Sequence, residues 1–145
     1  MAGIVAVVAP LFIWSLRASW RRNCQKRTAV TLRMLGFALG TYGADYGYFP
    51  QASNVEALVK VLGPTSLDDP AHDAWDAPIR YEWYGPTACA VGSAGGDGVF
   101  QHSSFKEYDE KLTHYYDCDL VYRFDTEYTS GWFIRLPYEL RSRPK

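Results

Sequence analysis

The fold of this chain is decided by residues 31–50, which read TLRMLGFALGTYGADYGYFP. Apolar side chains recur there at spacings of three and four, at Leu32, Leu35, Leu39, Tyr42 and Tyr46. Such spacing places one apolar stripe along a helix. Gly43 and Gly47 weaken the end of this helix, and Pro50 cannot extend it because proline lacks a backbone donor. We therefore expect a long helix whose stripe is covered by the rest of the chain.

The segment before this stripe is apolar and then basic. Residues 2–16 carry no charge, but they are fewer than the roughly 20 that a membrane-spanning helix needs. A truncated membrane anchor, a signal-peptide apolar region and a core helix remain as interpretations. We favour the anchor, because no basic region precedes the run and Arg17 follows it at once, without a cleavage site.

The basic residues after the apolar run are Arg17, Arg21, Arg22, Lys26 and Arg27. They would continue the same helix, and the positive-inside rule would hold them in the cytoplasm, which conflicts with export of the domain. Over the whole chain of 145 residues the net charge is −1, so there is no electrostatic reason to expect a nucleic acid partner. The length suits one domain.

Downstream, Ser53 and Glu56 have the spacing of a capping box for a short helix that Gly63 and Pro64 end. Residues 67–78 suggest an ordered loop anchored by Trp75. Alternating apolar residues predict a hairpin of strands at 79–84 and 88–93, with further strands at 120–124 and 132–136. The prediction is an α+β fold, a long N-terminal helix packed on a small antiparallel sheet.

The core of this fold should lie between the helix stripe and the sheet. We expect Leu32, Leu35, Leu39 and Tyr42 to face the sheet. Their predicted partners are Trp75, Tyr81, Val91 and Val121.

An ordered series of motifs extends over residues 28–137. In order the motifs are Leu39-x-x-Tyr42-x-x-Asp45-x-Gly47-x-Phe49-Pro50, Glu56-Ala57-Leu58, Asp73-x-Trp75-x-x-Pro78-Ile79-x-Tyr81, Ser93-Ala94-Gly95-Gly96-Asp97-Gly98 and Asp117-x-Asp119-Leu120-Val121-Tyr122. As a series they resemble the pseudopilins of type II secretion systems, most closely the major, G-type subunit. No single motif is specific on its own.

The resemblance implies a pilin-like fold and a structural role. Residues 1–27 would be an apolar anchor and basic helical stem, and residues 28–145 a pseudopilin-like globular domain. The protein would be a single-pass inner-membrane protein with this domain in the periplasm. It would assemble with identical subunits into a short filament, and would meet minor pseudopilins and the inner-membrane secretion platform.

The resemblance also implies a calcium site in the loop after the second strand. Its ligands would be Asp97, Asp117 and Asp119, with the backbone oxygen of Ala94. Calcium takes six to eight oxygen ligands, which carboxylates and turn carbonyls supply. The alternative is an Asp-Gly turn with solvated carboxylates, since residues 99–116 are longer than the family's loop and lack its second Gly-Gly.

The N-terminus departs further from the family, because the basic leader, the cleavage glycine and the following Phe-Thr-Leu-Ile-Glu-like start are missing from this sequence. Either the true start lies upstream, or the protein is pseudopilin-like and is not processed. We expect prepilin peptidase to leave the chain as written uncleaved. If Met1 is the real start, the chain should stay in the membrane and should not enter filaments. The second functional hypothesis is a membrane-anchored small binding domain that does not polymerise.

The sequence also contains residues that could form a catalytic or zinc site, but these interpretations have less support than a structural role. Ser66, His72 and Asp73 form a triad only if the fold aligns them, and Ser103 and Ser104 beside His102 suggest a polar loop tip. A structural zinc site usually contains two pairs of closely spaced ligands. This sequence offers one such pair, His114 and Cys118, with Asp117 and Asp119 as neighbours. We therefore expect no enzyme. A Cys89–Cys118 disulfide remains open, and Cys24 completes an odd set of three cysteines.

Overall fold

The computed structural model describes residues 2–64, 69–109, 111–113, 118–125 and 131–137. Its helices are α1 (Ala2–Tyr46) and α2 (Val55–Leu62). The strands are β1 (Arg80–Gly85), β2 (Ala88–Ser93), β3 (Lys111–Thr113), β4 (Leu120–Phe124) and β5 (Trp132–Pro137). Short 3₁₀ turns lie at Gly95–Asp97 and Phe105–Glu107. The long helix packed on a small sheet confirms the predicted α+β fold.

The apolar stripe of α1 covers one face of the sheet, as its spacing predicts. Leu32, Leu35 and Leu39 are fully buried. They share one core with side chains of α2, β1, β2 and β4, namely Val55, Leu58, Tyr81, Cys89, Val91, Leu120 and Phe124. Beyond the stripe the helix ends at Gly47, whose left-handed backbone (φ 77°) lets its N–H bond the Gly43 carbonyl at 2.8 Å.

The described part of the sheet runs in the order β1-β2-β4-β5-β3. β1 and β2 form the predicted antiparallel hairpin, with Tyr81 opposite Val91. β4 joins β2 and β5 antiparallel to both. β3 pairs parallel to β5 at the edge, and this strand was not predicted.

Close approach of α1 to β4 depends on a glycine. A Cβ on Gly36 would lie 2.5 Å from the Tyr122 ring, so any larger residue there would overlap it. The Tyr122 hydroxyl donates to the carbonyl of Gly131 at 2.7 Å. Gly40, one turn further, has ordinary space, since its Cβ would lie 3.6 Å from Phe124.

The opposite face of the sheet carries a second, smaller core. Buried Ala90 and Val121 of the sheet pack there against buried Phe105 and Tyr108 of the covering loop, residues 99–109. Gly92 permits this cover, because a Cβ on it would lie 2.5 Å from the Phe105 ring.

Four predictions about local packing were wrong. Val121 faces the second core, because residues alternate along β4 and its neighbour Leu120 faces α1. Tyr42 is only half-buried and contacts Tyr46 and Tyr48, while Phe49 covers that end of the sheet against Phe124.

The other two wrong predictions concern Trp75 as a buried loop anchor and Ser53 as the N-cap of α2. Trp75 is half-buried and lies outside both cores. The N-cap of α2 is Asn54 and not Ser53, since the Asn54 side chain accepts the Ala57 N–H at 2.8 Å.

Candidate functional site

The first part of α1 stands clear of the domain. Every side chain of residues 9–23 is exposed except Ala18, which is half-buried. The large apolar side chains exposed there are Leu11, Phe12, Ile13, Trp14, Leu16 and Trp20. A contiguous apolar surface of this kind marks a site of protein or membrane contact. We call residues 9–23 the exposed segment.

From residue 9 onward, the first buried side chain of α1 is Cys24, and the loop after α2 contacts the helix one turn later. The backbone N–H of Ala74 donates to Oγ1 of Thr28 at 3.1 Å, across 46 residues of sequence. Thr28 is fully buried. This contact fixes the point where the helix enters the domain.

Asp73 organises that loop. Its Oδ1 accepts the backbone N–H groups of Trp75 (3.0 Å) and Ala77 (2.9 Å), and its Oδ2 accepts the Ser93 hydroxyl at 2.6 Å. Ser93 in turn accepts the Gly95 N–H at 3.1 Å. The carboxylate thus does the anchoring that the sequence assigned to Trp75.

Two of the predicted calcium ligands lie at the start of the loop over the second core. Asp97 is exposed, and its Oδ1 accepts the Val99 N–H at 3.0 Å. Ala94 is buried beside the 3₁₀ turn. Oxygen donors of this kind suit calcium.

Asp119, the third ligand, is fully buried. Its Oδ2 accepts the Gln101 N–H at 2.8 Å and the hydroxyl of Tyr108. Burial and this hydrogen bond to a carboxylate raise the pKa of Tyr108 to about 12. Asp97 and Asp119 therefore both hold the segment 97–101, while Asp117 lies outside the described residues. Calcium binding stays a prediction.

Sequence reasoning missed a charged pair beneath the same loop. The Arg80 guanidinium lies 4.2 Å from the centre of the Phe100 ring and 4.3 Å from that of Phe105, and it bonds Glu82 Oε1 at 2.9 Å. Glu82 Oε2 accepts three further donors, the Ser104 hydroxyl (3.0 Å), the Phe105 N–H (2.9 Å) and the Tyr84 hydroxyl. Alternation along β1 was the available signal, since Arg80, Glu82 and Tyr84 share one face.

Two of the three residues considered for a catalytic triad, His72 and Asp73, are described, and each bonds a different partner. His72 Nδ1 contacts Asp69 Oδ2 at 3.0 Å, and this partner raises the pKa of His72 and lowers that of Asp69. Asp73 instead bonds Ser93. Ser66 lies outside the described residues. Ser103 donates to Glu107 at 2.7 Å, which makes it part of a loop cap.

The metal and disulfide candidates are only partly described. His114 and Asp117 lie outside the described residues, and Cys118 is half-buried. Cys24, Cys89 and Cys118 are free thiols, and burial raises the pKa of Cys89 to about 12. Among the described residues, His, Cys, Asp and Glu form no group of three or more that could hold a metal ion.

Over the described part of the chain, no helix combines the length and the apolar composition that a bilayer-spanning helix requires.

Comparison with protein-family models, with curated proteins and with solved structures gives no match to this chain.

Proposed function

We propose that this protein is a structural subunit of a type II secretion pseudopilus, the filament that supports protein export across the outer membrane. The observation that carries the proposal is the exposed segment of α1. A 45-residue helix is about 68 Å long at 1.5 Å per residue, and between residues 9 and 23 it carries large apolar side chains away from the core. Helices of this kind are stabilised by contact with other helices or with lipid.

The remaining part of the fold supports a passive role. Glu82, Asp73 and Asp119 each accept backbone N–H groups from loops, so they maintain the shape of the domain. In the proposed assembly the domain would lie in the periplasm and the exposed segment would begin in the inner membrane. Identical subunits, minor pseudopilins and the secretion platform would be the partners, and calcium would fix the loop at Asp97 and Asp119.

Assembly of the full chain tests this function. The sequence alone predicts that a chain beginning at Met1 stays out of filaments. Because the domain leaves the exposed segment uncovered, we instead expect protein purified in detergent to form filaments when the detergent is removed, seen by electron microscopy and as sedimenting material. Trp14→Asp and Leu16→Asp place a charge on the exposed segment and should leave the chain in the supernatant. Val99→Asp is the matched control, because Val99 is equally apolar and exposed but lies in the loop over the second core.

Two results would contradict the proposal. One is a wild-type chain that stays monomeric after detergent removal, whether free or bound to vesicles, which would favour the non-polymerising binding domain. The other is loss of sedimentation in Val99→Asp to the same extent as in Trp14→Asp.

A further inference from the structure

A second apolar surface lies at the other end of α1, where the helix meets α2. It is a groove with a cavity volume of about 420 Å³. One wall is formed by α1, with Phe37, Thr41, Tyr42, Asp45 and Tyr46, and the other by the end of α2 at Leu62. We call it the α1–α2 groove.

The composition of this groove is that of a binding surface. Phe37 is 74% exposed although it lies on the domain half of the helix. Tyr42, Tyr46 and Tyr48 form a ring cluster at its end, with centroids 4.4 to 6.3 Å apart. Aromatic residues and methionine are enriched at protein interfaces, and charged residues are depleted at their centres.

Polar groups in the groove are few and largely satisfied. The Thr41 hydroxyl already bonds the Phe37 carbonyl at 3.0 Å. Asp45 is the single charged side chain in the lining, and it is exposed. An occupant of the groove should therefore be apolar along its length and positively charged beside Asp45.

The exposed segment has these two properties. Its apolar side chains include Trp14, which is 74% exposed, and Arg17 follows one turn later. Residues 2–44 contain no acidic side chain, so nothing in this stretch repels Asp45.

The segment cannot fill the groove of its own chain. Trp14 and Tyr42 lie on one uninterrupted helix, 28 residues apart, which places them about 42 Å from each other along its axis. The contact must therefore form between two copies.

We propose that the α1–α2 groove of one subunit receives the exposed segment of a second copy of this chain, with the two helices parallel. Trp14 would lie against Phe37 and Tyr42, and Arg17 beside Asp45. The two surfaces differ, so the contact is heterologous and each added subunit presents a free groove or a free segment for the next one. This inference rests on the proposed function, since it names the receiving surface of the filament.

The two parts of the contact have different roles. Burial of the aromatic side chains supplies the attraction, because apolar area removed from water is the main driving force of association. The Arg17–Asp45 pair is exposed in the free subunit and adds little strength. It selects the parallel orientation and the register.

Disulfide trapping between two differently tagged full-length chains tests the contact. Both chains carry Cys118→Ser, because Cys118 is the half-buried thiol while Cys24 and Cys89 are buried.

One chain also carries Ile13→Cys and the other Thr41→Cys. Positions 13 and 41 differ by the same 28 residues as Arg17 and Asp45, so the proposed register places them opposite each other, and the aromatic side chains of the contact are kept. Both substituted positions are exposed, so the domain should keep its circular-dichroism spectrum. Oxidation after detergent removal should link the two tags.

The control chain carries Val99→Cys in place of Thr41→Cys. Its yield of linked product with Ile13→Cys should be at least about tenfold lower, since Val99 lies outside the groove. A single chain with both Ile13→Cys and Thr41→Cys should give a ladder of dimers, trimers and longer products, because a heterologous contact does not close.

Charge reversal tests the register. Arg17→Asp and Asp45→Arg should each reduce the trapped yield, and a mixture that pairs Arg17→Asp in the Ile13→Cys chain with Asp45→Arg in the Thr41→Cys chain should restore it. Recovery in the pair excludes a folding defect as the cause of the single losses.

The outcomes separate this inference from the proposed function. If sedimenting filaments form but Ile13→Cys and Thr41→Cys link no better than the Val99→Cys control, the groove is not the receiving surface, although the chain still polymerises. A product that stops at dimers would overturn the parallel, open arrangement. If no assembly occurs, or the exposed segment partitions only into vesicles, both proposals are wrong.

Discussion

The hydroxyl of Tyr108 donates a hydrogen bond to Oδ2 of Asp119, and both residues are buried beneath the loop that covers the outer face of the sheet. The same oxygen accepts the Gln101 N–H, so one carboxylate holds both ends of the segment 101–108. Removal of either donor would leave the buried Asp119 carboxylate with one hydrogen bond fewer to stabilise its charge.

Tyr108→Phe should therefore destabilise the domain. Loss of a hydrogen bond to a buried carboxylate costs about 1–3 kcal/mol. Urea unfolding of the full chain in detergent, followed by circular dichroism, measures this change. Tyr46→Phe is the control, because Tyr46 is exposed, and its effect should stay within about 0.5 kcal/mol. Equal effects of the two substitutions would contradict the role given to Tyr108.

The stability of the domain should also fall in alkaline solution. The pKa of Tyr108 is raised from its ordinary value near 10 to about 12 in the folded state. A raised pKa means that the neutral phenol stabilises the fold; this contribution is complete below about pH 10 and is lost between about pH 10 and 12. The stability difference between wild type and Tyr108→Phe should be constant near neutral pH and shrink above pH 10. A constant difference up to about pH 11.5 would rule out this linkage.

Gly36→Ala and Gly40→Ala should have opposite effects although they lie one turn apart on α1. The new methyl at residue 36 would overlap the Tyr122 ring, and such overpacking costs about 1–3 kcal/mol. At residue 40 there is room, so the higher helix propensity of alanine should stabilise the protein by about 0.5–1 kcal/mol. Thermal melts of the two variants measure both effects. Stabilisation by Gly36→Ala would mean that α1 does not approach β4 so closely.

Leu39→Ala should destabilise the domain by about 2–5 kcal/mol, since Leu39 is fully buried between α1 and the sheet. Leu11→Ala is matched in chemistry but lies in the exposed segment, where the change should be within about 0.5 kcal/mol. Chemical denaturation in detergent keeps assembly from contributing. A small effect at residue 39 would remove it from the core.

Calcium should bind at Asp97, Asp117 and Asp119 with millimolar or tighter affinity. An ion that binds only the folded state raises the melting temperature, and a chelator should reverse this shift. Asp97→Asn should weaken binding with little loss of stability, because Asp97 is exposed. The prediction would be wrong if calorimetry gave no binding signal and the chelator did not change the melting temperature. These carboxylates would then serve only to cap the loop.

Local patterns predicted much of the fold. The spacing of Leu32, Leu35 and Leu39 gave the buried face of α1, and alternation gave the hairpin of β1 and β2. These patterns suffice because each depends on residues close in sequence. Alternation also places Val121 and Leu120 on opposite faces of β4, but it does not determine which of the two side chains faces the helix.

The candidate sites depended on contacts that no local pattern contains. Asp73 bonds Ser93 across 20 residues, and Glu82 bonds Ser104 across 22. β3 has only three residues, which are too few to show the alternation of side chains that identifies a strand in a sequence. It pairs parallel to β5. The exposed segment differs, since its apolar run was clear in the sequence, and the structure shows that the domain leaves it uncovered.

The continuous helix α1 also determines how the domain would bear mechanical load. A pull at residue 12 travels along one helix and enters the domain at Thr28, where the Ala74 N–H binds. It then reaches the sheet through the fully buried leucines at 32, 35 and 39, which share the tension in parallel. At the far end the Tyr81 hydroxyl bonds the Pro50 carbonyl at 2.8 Å and fastens the chain beyond the helix to β1. Traction on the helix would therefore be passed to the sheet through these side-chain contacts, which lie along the length of the core and not at a single point.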